Sequence, residues 1–334
     1  MWTKATIEDL LFGTPDELLF READRVRQEV CGDEVHLRGI LEFSNHCCKN
    51  CLYCGLRRDN RSLQRYRMEP EEIVALAVKA AEEGIKTVVL QSGEDPWYTK
   101  DRVTAIIRGI KERAGCAITL SIGERGEKEL REWREAGADR YLLKHETANP
   151  KLFGSLCPET TLEKRLRCLR LLKSLGYQTG SGILAGLPGQ RPEDYVEDLL
   201  LLQSLEVDMA GIGPFIPHPE TPLGQEPGGL AQEVLRLIAA ARIVLREVHI
   251  PATTALGTAE REGREKGLRV GANVVMACLT PLRYRGKYQI YPNRICVQES
   301  AERCPECLKQ RITNLGRKVS RDYGHSLKGE RHAA

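Results

Sequence analysis

The chain has 334 residues, 41% hydrophobic and 29% charged, the balance of a soluble globular protein with about two domains or one barrel-sized domain with extensions. Fifty Lys and Arg oppose 47 Asp and Glu, for a net charge of +3, which argues against a nucleic-acid or membrane-surface protein. No apolar run approaches the roughly 20 residues of a membrane span, and the N-terminus lacks the basic and apolar regions of a signal peptide, so a cytoplasmic protein is expected.

Taken in chain order, two helices are expected over about residues 6–30, then a first strand at 35–43 (VHLRGILEF). Pro70 and Gly84 punctuate the start and stop of the next helix. A β-branched run follows (KTVVLQSG), and the alternation then repeats. Helices are expected at 100–114, 126–136, 162–175, 192–204 and 229–247, with a short one near 259–267. They alternate with the strands AITLSIG, RYLLKHE, TGSGILAG, MAGIGPF, IPATTALG and ANVVMA. Eight strands, each followed by a helix or a long loop, predict an α/β fold: a complete (β/α)8 TIM barrel with N-terminal helices and a C-terminal extension. A doubly wound open sheet is the rival. The expected boundaries are 1–33 for the helical extension, 34–290 for the barrel and 291–334 for the C-terminal extension. The basic tail from about 310 is expected to fray.

Cysteine is the anomaly, with twelve in the chain. A disulfide framework is not expected in a reducing compartment, and seven of the twelve fall in two short clusters. Composition therefore favours a metal or redox cofactor. Cys47, Cys51 and Cys54 follow the first strand in a CxxxCxxC pattern. Three thiolates in one loop can ligate three irons of a cubane cluster and leave the fourth iron open. A structural zinc site is the alternative, although zinc wants four protein ligands. Cys48 reads as a bystander. Cys31, Cys116, Cys157, Cys168 and Cys278 read as small buried hydrophobes.

The string CCKNCLYC, with Tyr53 just before the last cysteine, resembles the signature of the radical S-adenosylmethionine (radical SAM) superfamily. The resemblance implies a [4Fe-4S] cluster on Cys47, Cys51 and Cys54, whose open iron chelates S-adenosylmethionine. Reductive cleavage of that cofactor yields a 5′-deoxyadenosyl radical. Ser92, Gly93 and Glu94 resemble the motif that holds the methionine ammonium. The resemblance also places Ser121 and Glu146 on the ligand's polar groups and Arg165 on its carboxylate.

Longer strings, among them EFSNHCCKNCLYCGLRRDNRSLQRYRM, VLQSGEDP and DMAGIGPFIPHPETPL, resemble the HydE family of [FeFe]-hydrogenase maturases over about residues 30–310. That family implies attack on the sulfur of an Fe(CO)2(CN)-cysteine synthon, an iron-containing small molecule. The product is a sulfur-bridged di-iron precursor of the H-cluster. An upstream radical SAM maturase and a downstream scaffold GTPase are the implied partners. Reduced flavodoxin or ferredoxin is the implied electron donor, and a monomer is expected. Lys144, Met209, Thr253, Thr254, Tyr288 and Tyr291 match the family's substrate pocket, with Lys144 standing where a member of the family carries Arg; this keeps the charge but loses the planar fork.

Cys296, Cys304 and Cys307 resemble the family's variable C-terminal site, which in some members holds a second Fe–S cluster. That site is expected near the surface, far from the chemistry. Methylornithine synthase and biotin synthase are the rival enzymatic readings, both acting on small amino-acid-like substrates. The biotin synthase reading wants further cysteines at strand ends, where Cys116 and Cys168 do not fall. A non-catalytic Fe–S electron carrier is the reading from another class; it has no use for the motifs that converge on an open iron.

Overall fold

The computed structural model describes residues 2–298 and 303–329. Thr3 caps α1 (Lys4–Glu8), which opens into a π turn at Asp9–Gly13 before α2 (Asp16–Cys31). The alternation then runs β1 (Glu34–Ser44), α3 (Pro70–Glu82), β2 (Thr87–Ser92), α4 (Lys100–Ala114), β3 (Ala117–Ser121) and α5 (Glu127–Glu135). It continues with β4 (Arg140–Leu142), α6 (Pro150–Leu156), α7 (Leu162–Ser174), β5 (Gln178–Ala185), α8 (Pro192–Ser204) and β6 (Met209–Pro214). The last elements are α9 (Ala231–Leu245), α10 (Thr254–Ala259), α11 (Gly263–Arg269), β7 (Val274–Cys278), α12 (Leu282–Arg285), α13 (Arg303–Asn314) and β8 (Lys318–Val319). No helix among the described residues is long and apolar enough to cross a membrane.

Local chemistry explains these elements. Helix α3 has Pro at its start, Glu71 and Glu72 in the first turn and Lys79 in the last, so its charges complement the helix dipole. Ile73, Val74, Ala77 and Ala80 form its buried stripe. Thr99 and Thr161 cap α4 and α7 through side chains that accept from Arg102 N and Lys164 N. The strands are buried along nearly their whole length, as a parallel sheet covered by helices requires.

The sheet is parallel in the order β6-β5-β4-β3-β2-β1-β7, with β8 beside β1. The α/β class therefore stands, with one departure from the expected strands. Residues 250–257 do not form a regular strand. Isolated bridges, Met209 with His249 and Pro251 with Val274, join the segment before α10 to β6 and β7, through backbone bonds such as Ala210 N to the His249 carbonyl and Ala252 N to the Val274 carbonyl (both 2.9 Å). Pro251 has no N–H to give a ladder. Thr253 then caps α10 by accepting from Leu256 N, which turns the chain out of extended conformation.

The C-terminal tail is also not frayed over its described part. From β8 it crosses beneath the barrel, at the N-terminal ends of the strands. The Tyr323 carbonyl accepts from Thr87 Oγ1 (2.7 Å) and Arg140 Nη2 (2.6 Å). The Gly324 carbonyl accepts from Arg38 Nη2 (3.1 Å), and the His325 carbonyl contacts His249 Nε2 at 2.8 Å. Ser326 donates to Asp208 (2.5 Å). These partners are buried, so the tail is the floor of the barrel. Truncation after Arg317 is expected to destabilise the fold by about 3–5 kcal/mol, since each lost hydrogen bond is worth about 1 kcal/mol and buried donors are left unmet. Urea denaturation checks this, and an unchanged midpoint would contradict the role of the tail.

Candidate active site

After β1 the chain enters a long loop that carries the three-cysteine motif. Arg65 organises it by donating to four carbonyls: those of Asn45 (2.5 Å), Leu56 (2.9 Å), Arg57 (2.7 Å) and Asn60 (3.0 Å). Asn45 reaches from the start of the loop to the carbonyls of Gln64 and Lys287. Cys47 Sγ accepts from the backbone N–H groups of Lys49 and Glu94, each at 3.4 Å. Cys47, Cys51 and Cys54 all border one cavity of about 390 Å³ at the C-terminal ends of the strands. Cys48 does not line it.

Glycine at position 93 lets β2 meet this loop. A Cβ there would lie 2.2 Å from the His46 carbonyl oxygen and 2.9 Å from Cys47 Cβ. Next to it, Glu94 accepts from Glu124 N (3.0 Å) and pairs with Lys49 at 3.4 Å. Glu124 in turn pairs with Arg165 at 2.7 Å and accepts from Thr160 at 3.0 Å. Arg165 also donates to the Lys144 carbonyl (2.5 Å). Glu146 faces the cavity with φ at +64°, a conformation that non-glycine residues adopt rarely. It accepts from Tyr53 Oη (3.3 Å) and pairs with Lys144 Nζ (3.0 Å). Thr253, Thr254, Tyr288 and Tyr291 also line the cavity. A bidentate Glu42–Arg294 pair (2.5 and 2.8 Å) stands beside them.

The sequence comparison completes this picture. Residues 41–202 match the radical SAM superfamily. The [FeFe] hydrogenase maturase subunit HydE of Thermotoga maritima is 55% identical over 309 residues, 92% of this chain and 88% of that protein. This chain belongs to the HydE family of radical SAM proteins. A 3-methylornithine synthase from Methanosarcina acetivorans is 31% identical over 79% of this chain and 75% of its own length. Among solved structures, methylornithine synthase superposes with a TM-score of 0.84 at 27% identity, covering 95% of this chain and 94% of its own. The HydG maturase, at 19% identity, 0.81 TM-score and coverage of 96% and 73%, shares the fold.

The residues present fit a HydE-family [4Fe-4S] cluster with S-adenosylmethionine. Three thiols share one cavity, backbone N–H groups already point at Cys47 Sγ, and the glycine at 93 keeps the approach clear. Burial pushes the Cys47 thiol up to about 11 and raises Cys54 as well. A hydrogen bond with the Cys157 thiol, then burial, raises Cys51. Loading therefore releases protons from all three.

The structure brings together Tyr53, Ser92, Gly93, Glu94, Ser121, Glu146 and Arg165 on the cavity wall, with Lys144, Thr253, Thr254, Tyr288 and Tyr291. Met209 is the exception. It begins β6 at the opposite mouth of the barrel, where its sulfur accepts from Arg38 Nη1 at 3.1 Å, so it is no part of the cavity wall. The C-terminal cysteines also depart from expectation: Cys296 and Cys304 border the same cavity as the first motif rather than a distant surface. Sequence reasoning missed Lys49, Glu42, Arg294 and Glu124. Glu124, in the strand-end string SIGE, and Lys49, inside CCKNCLYC, carried local signals.

Glu124 and Arg165 are 8% and 9% exposed. Burial alone would raise the Glu124 carboxyl, but Arg165 and Thr160 beside it hold it below the ordinary range. A depressed carboxylate contributes stability above its unfolded pKa of about 4.3, and loses it as pH falls through the folded value. Glu124→Gln strands Arg165 without its carboxylate and is expected to cost about 3–5 kcal/mol at neutral pH. It should also flatten the loss of stability on acidification below about pH 4.3. Denaturant titrations across pH measure both, and identical acid limbs for variant and wild type would refute the pairing.

Proposed function

We propose that this chain acts in [FeFe]-hydrogenase maturation by cleaving S-adenosylmethionine and directing the radical onto a small anionic iron complex of cysteine. The observation that carries this reading is the single cavity, which joins the three-cysteine loop to a polar wall of Lys144, Thr253, Thr254, Tyr288 and Tyr291. When bound, a [4Fe-4S] cluster with S-adenosylmethionine supplies the electron that breaks the sulfonium bond and yields an adenosyl radical. Cys47, Cys51 and Cys54 would hold the cluster. Ser92, Gly93 and Glu94 would take the methionine ammonium, Glu146 a ribose hydroxyl, and Ser121 a further polar group of the ligand. Arg165 commits Nε to Glu124 and Nη1 to the Lys144 carbonyl, which leaves Nη2 to meet the methionine carboxylate.

The Lys144 ammonium and the hydroxyls of Tyr288 and Tyr291 supply the charge and donors that an anionic cyano-carbonyl complex needs. Leu142, Leu184, Phe215 and Met276 line the rest of the cavity and exclude water from a reactive radical. The reading carries with it a cytoplasmic monomer, reduced flavodoxin or ferredoxin as donor, an upstream radical SAM maturase and a downstream scaffold GTPase. The likeness to methylornithine synthase favours one second reading, rearrangement of a small amino acid.

Anaerobic reconstitution, reduction with dithionite and addition of S-adenosylmethionine should release 5′-deoxyadenosine. The same protein should restore hydrogenase activity to an in vitro maturation mixture that lacks its HydE component. Release of 5′-deoxyadenosine without maturation would reject the iron-complex substrate. Formation of methylornithine in its place would support the second reading.

A further inference from the structure

The string KHETAN after β4 brings Lys144 and Glu146 to the cavity wall, and the residue between them points the other way. His145 is fully buried and meets Ser181 of β5 and Asp198 of α8, as the alternation of an extended chain requires. The Ser181 hydroxyl donates its one proton to the Leu143 carbonyl (3.1 Å). Toward His145 it therefore accepts, from the backbone N–H (3.1 Å) and from Nδ1 (2.9 Å). On the other side of the ring, Nε2 lies 3.3 Å from Asp198 Oδ1, which also accepts from the Ala148 N–H. Asp198 is itself fully buried, and among the described residues its Oδ2 has no hydrogen-bond partner and no Lys or Arg pairs with it. A buried carboxylate needs a cation beside it, and the His145 ring supplies one when both of its nitrogens carry protons.

We propose that His145 is a buried imidazolium whose pairing with Asp198 holds the segment that aims Lys144 and Glu146 into the cavity. The inference rests on the reading of that cavity as the site of S-adenosylmethionine and substrate, and it names what sets the site's geometry from outside. Glu146 has a φ of +64°, which a non-glycine residue keeps only where its surroundings over-determine it. On the sheet side it is tied to β5: Glu146 N donates to the Gly182 carbonyl (3.0 Å) and Leu184 N to the Glu146 carbonyl (2.9 Å). On the helix side, α8 grips the chain before and after it. Asp198 takes His145 and Ala148, and Asp194, one turn earlier, accepts from Asn149 Nδ2 (2.9 Å). Asp194 is the other acid that faces Asp198, so the segment lies between two carboxylates and one cation. No residue of α8 lines the cavity. His145 and Asp198 are therefore positioning residues, which act on the ligand through Glu146 and Lys144. A neutral ring would bring no proton to Asp198 Oδ1, and the turn at Glu146 would lose its hold on α8.

The first two measurements use the full chain without S-adenosylmethionine or turnover, so their failure is separable from failure of the proposed activity. Nitrogen NMR on isotopically labelled histidine should show one ring that still carries both protons at about pH 8.5, well above the ordinary histidine pKa of about 6.5. That signal should vanish in His145→Gln. If none of the seven histidines stays doubly protonated there, the proposal is overturned without recourse to any variant. In Asp198→Asn, the amides of Glu146 and Leu184 should exchange with solvent at least about tenfold faster, while those of α4 keep their wild-type rates. Unchanged exchange at Glu146 and Leu184 in the folded variant also overturns it. In the reconstituted protein, His145→Gln should raise the Kd for S-adenosylmethionine about tenfold, but less than about twofold once Glu146→Gln is present. Equal losses in both backgrounds would show that His145 does not act through Glu146. Wild-type affinity in Glu146→Gln alone would instead reject the ribose assignment, and the NMR and exchange results would still decide the ion pair.

Discussion

Cys51→Ala is expected to abolish loading of the first cluster and to reduce 5′-deoxyadenosine release to background. The physical reason is ligand count. A cubane held by three thiolates already has one open iron, and losing a second protein ligand removes both the binding energy and the geometry that aims the open iron into the cavity. Cys51 is the middle cysteine of the motif, fixed by the Leu52 N–H that donates to the Leu156 carbonyl at 2.9 Å. That bond also places Cys157 beside it, where the two thiols are hydrogen-bonded. Iron content, visible absorption and product release measure the outcome. Cys48→Ala is the matched control, since Cys48 Sγ lies 3.8 Å from Glu94 and outside the cavity; it should load and turn over normally. Turnover surviving in Cys51→Ala would show that the loop has been misassigned.

Gly93→Ala is expected to weaken S-adenosylmethionine binding about tenfold or more while leaving most of the fold intact. The added methyl would meet the His46 carbonyl oxygen at 2.2 Å and Cys47 Cβ at 2.9 Å. Neither is the far end of a flexible side chain, so the cysteine loop and β2 must separate. Overpacking of this kind costs about 1–3 kcal/mol, and each 1.4 kcal/mol is about tenfold in affinity. Separation also breaks the bonds that join the two segments, Gly93 N to the Ser44 carbonyl (3.1 Å) and Cys48 N to the Glu94 carbonyl (2.8 Å). Equilibrium binding to the reconstituted variant measures the effect. Affinity and cluster content both equal to wild type would show that the close approach at Gly93 is not required.

What could be read along the chain was local. The cysteine spacing, the alternation of strand and helix, and the glycine after β2 each have signals within a few residues. Met209 shows the limit. The string that contains it was recognised, but which mouth of the barrel a side chain serves depends on where its strand begins, and β6 begins at Met209. Pro251 was a visible breaker inside an expected strand, and its lack of a donor is what leaves that segment joined by isolated bridges.

The sequence by itself determined the chemistry: three thiols in one loop, and strand-end groups able to hold a polar ligand beside them. Only the tertiary structure decided the partners. Glu124 finds Arg165 across 41 residues and Glu42 finds Arg294 across 252. The tail becomes the barrel floor, and the Cys278 N–H finds Cys304 Sγ beyond α12. Such contacts have no periodicity or spacing to betray them. Their energy comes from satisfying buried charges and donors, and those become buried only when the sheet and its helices pack around them.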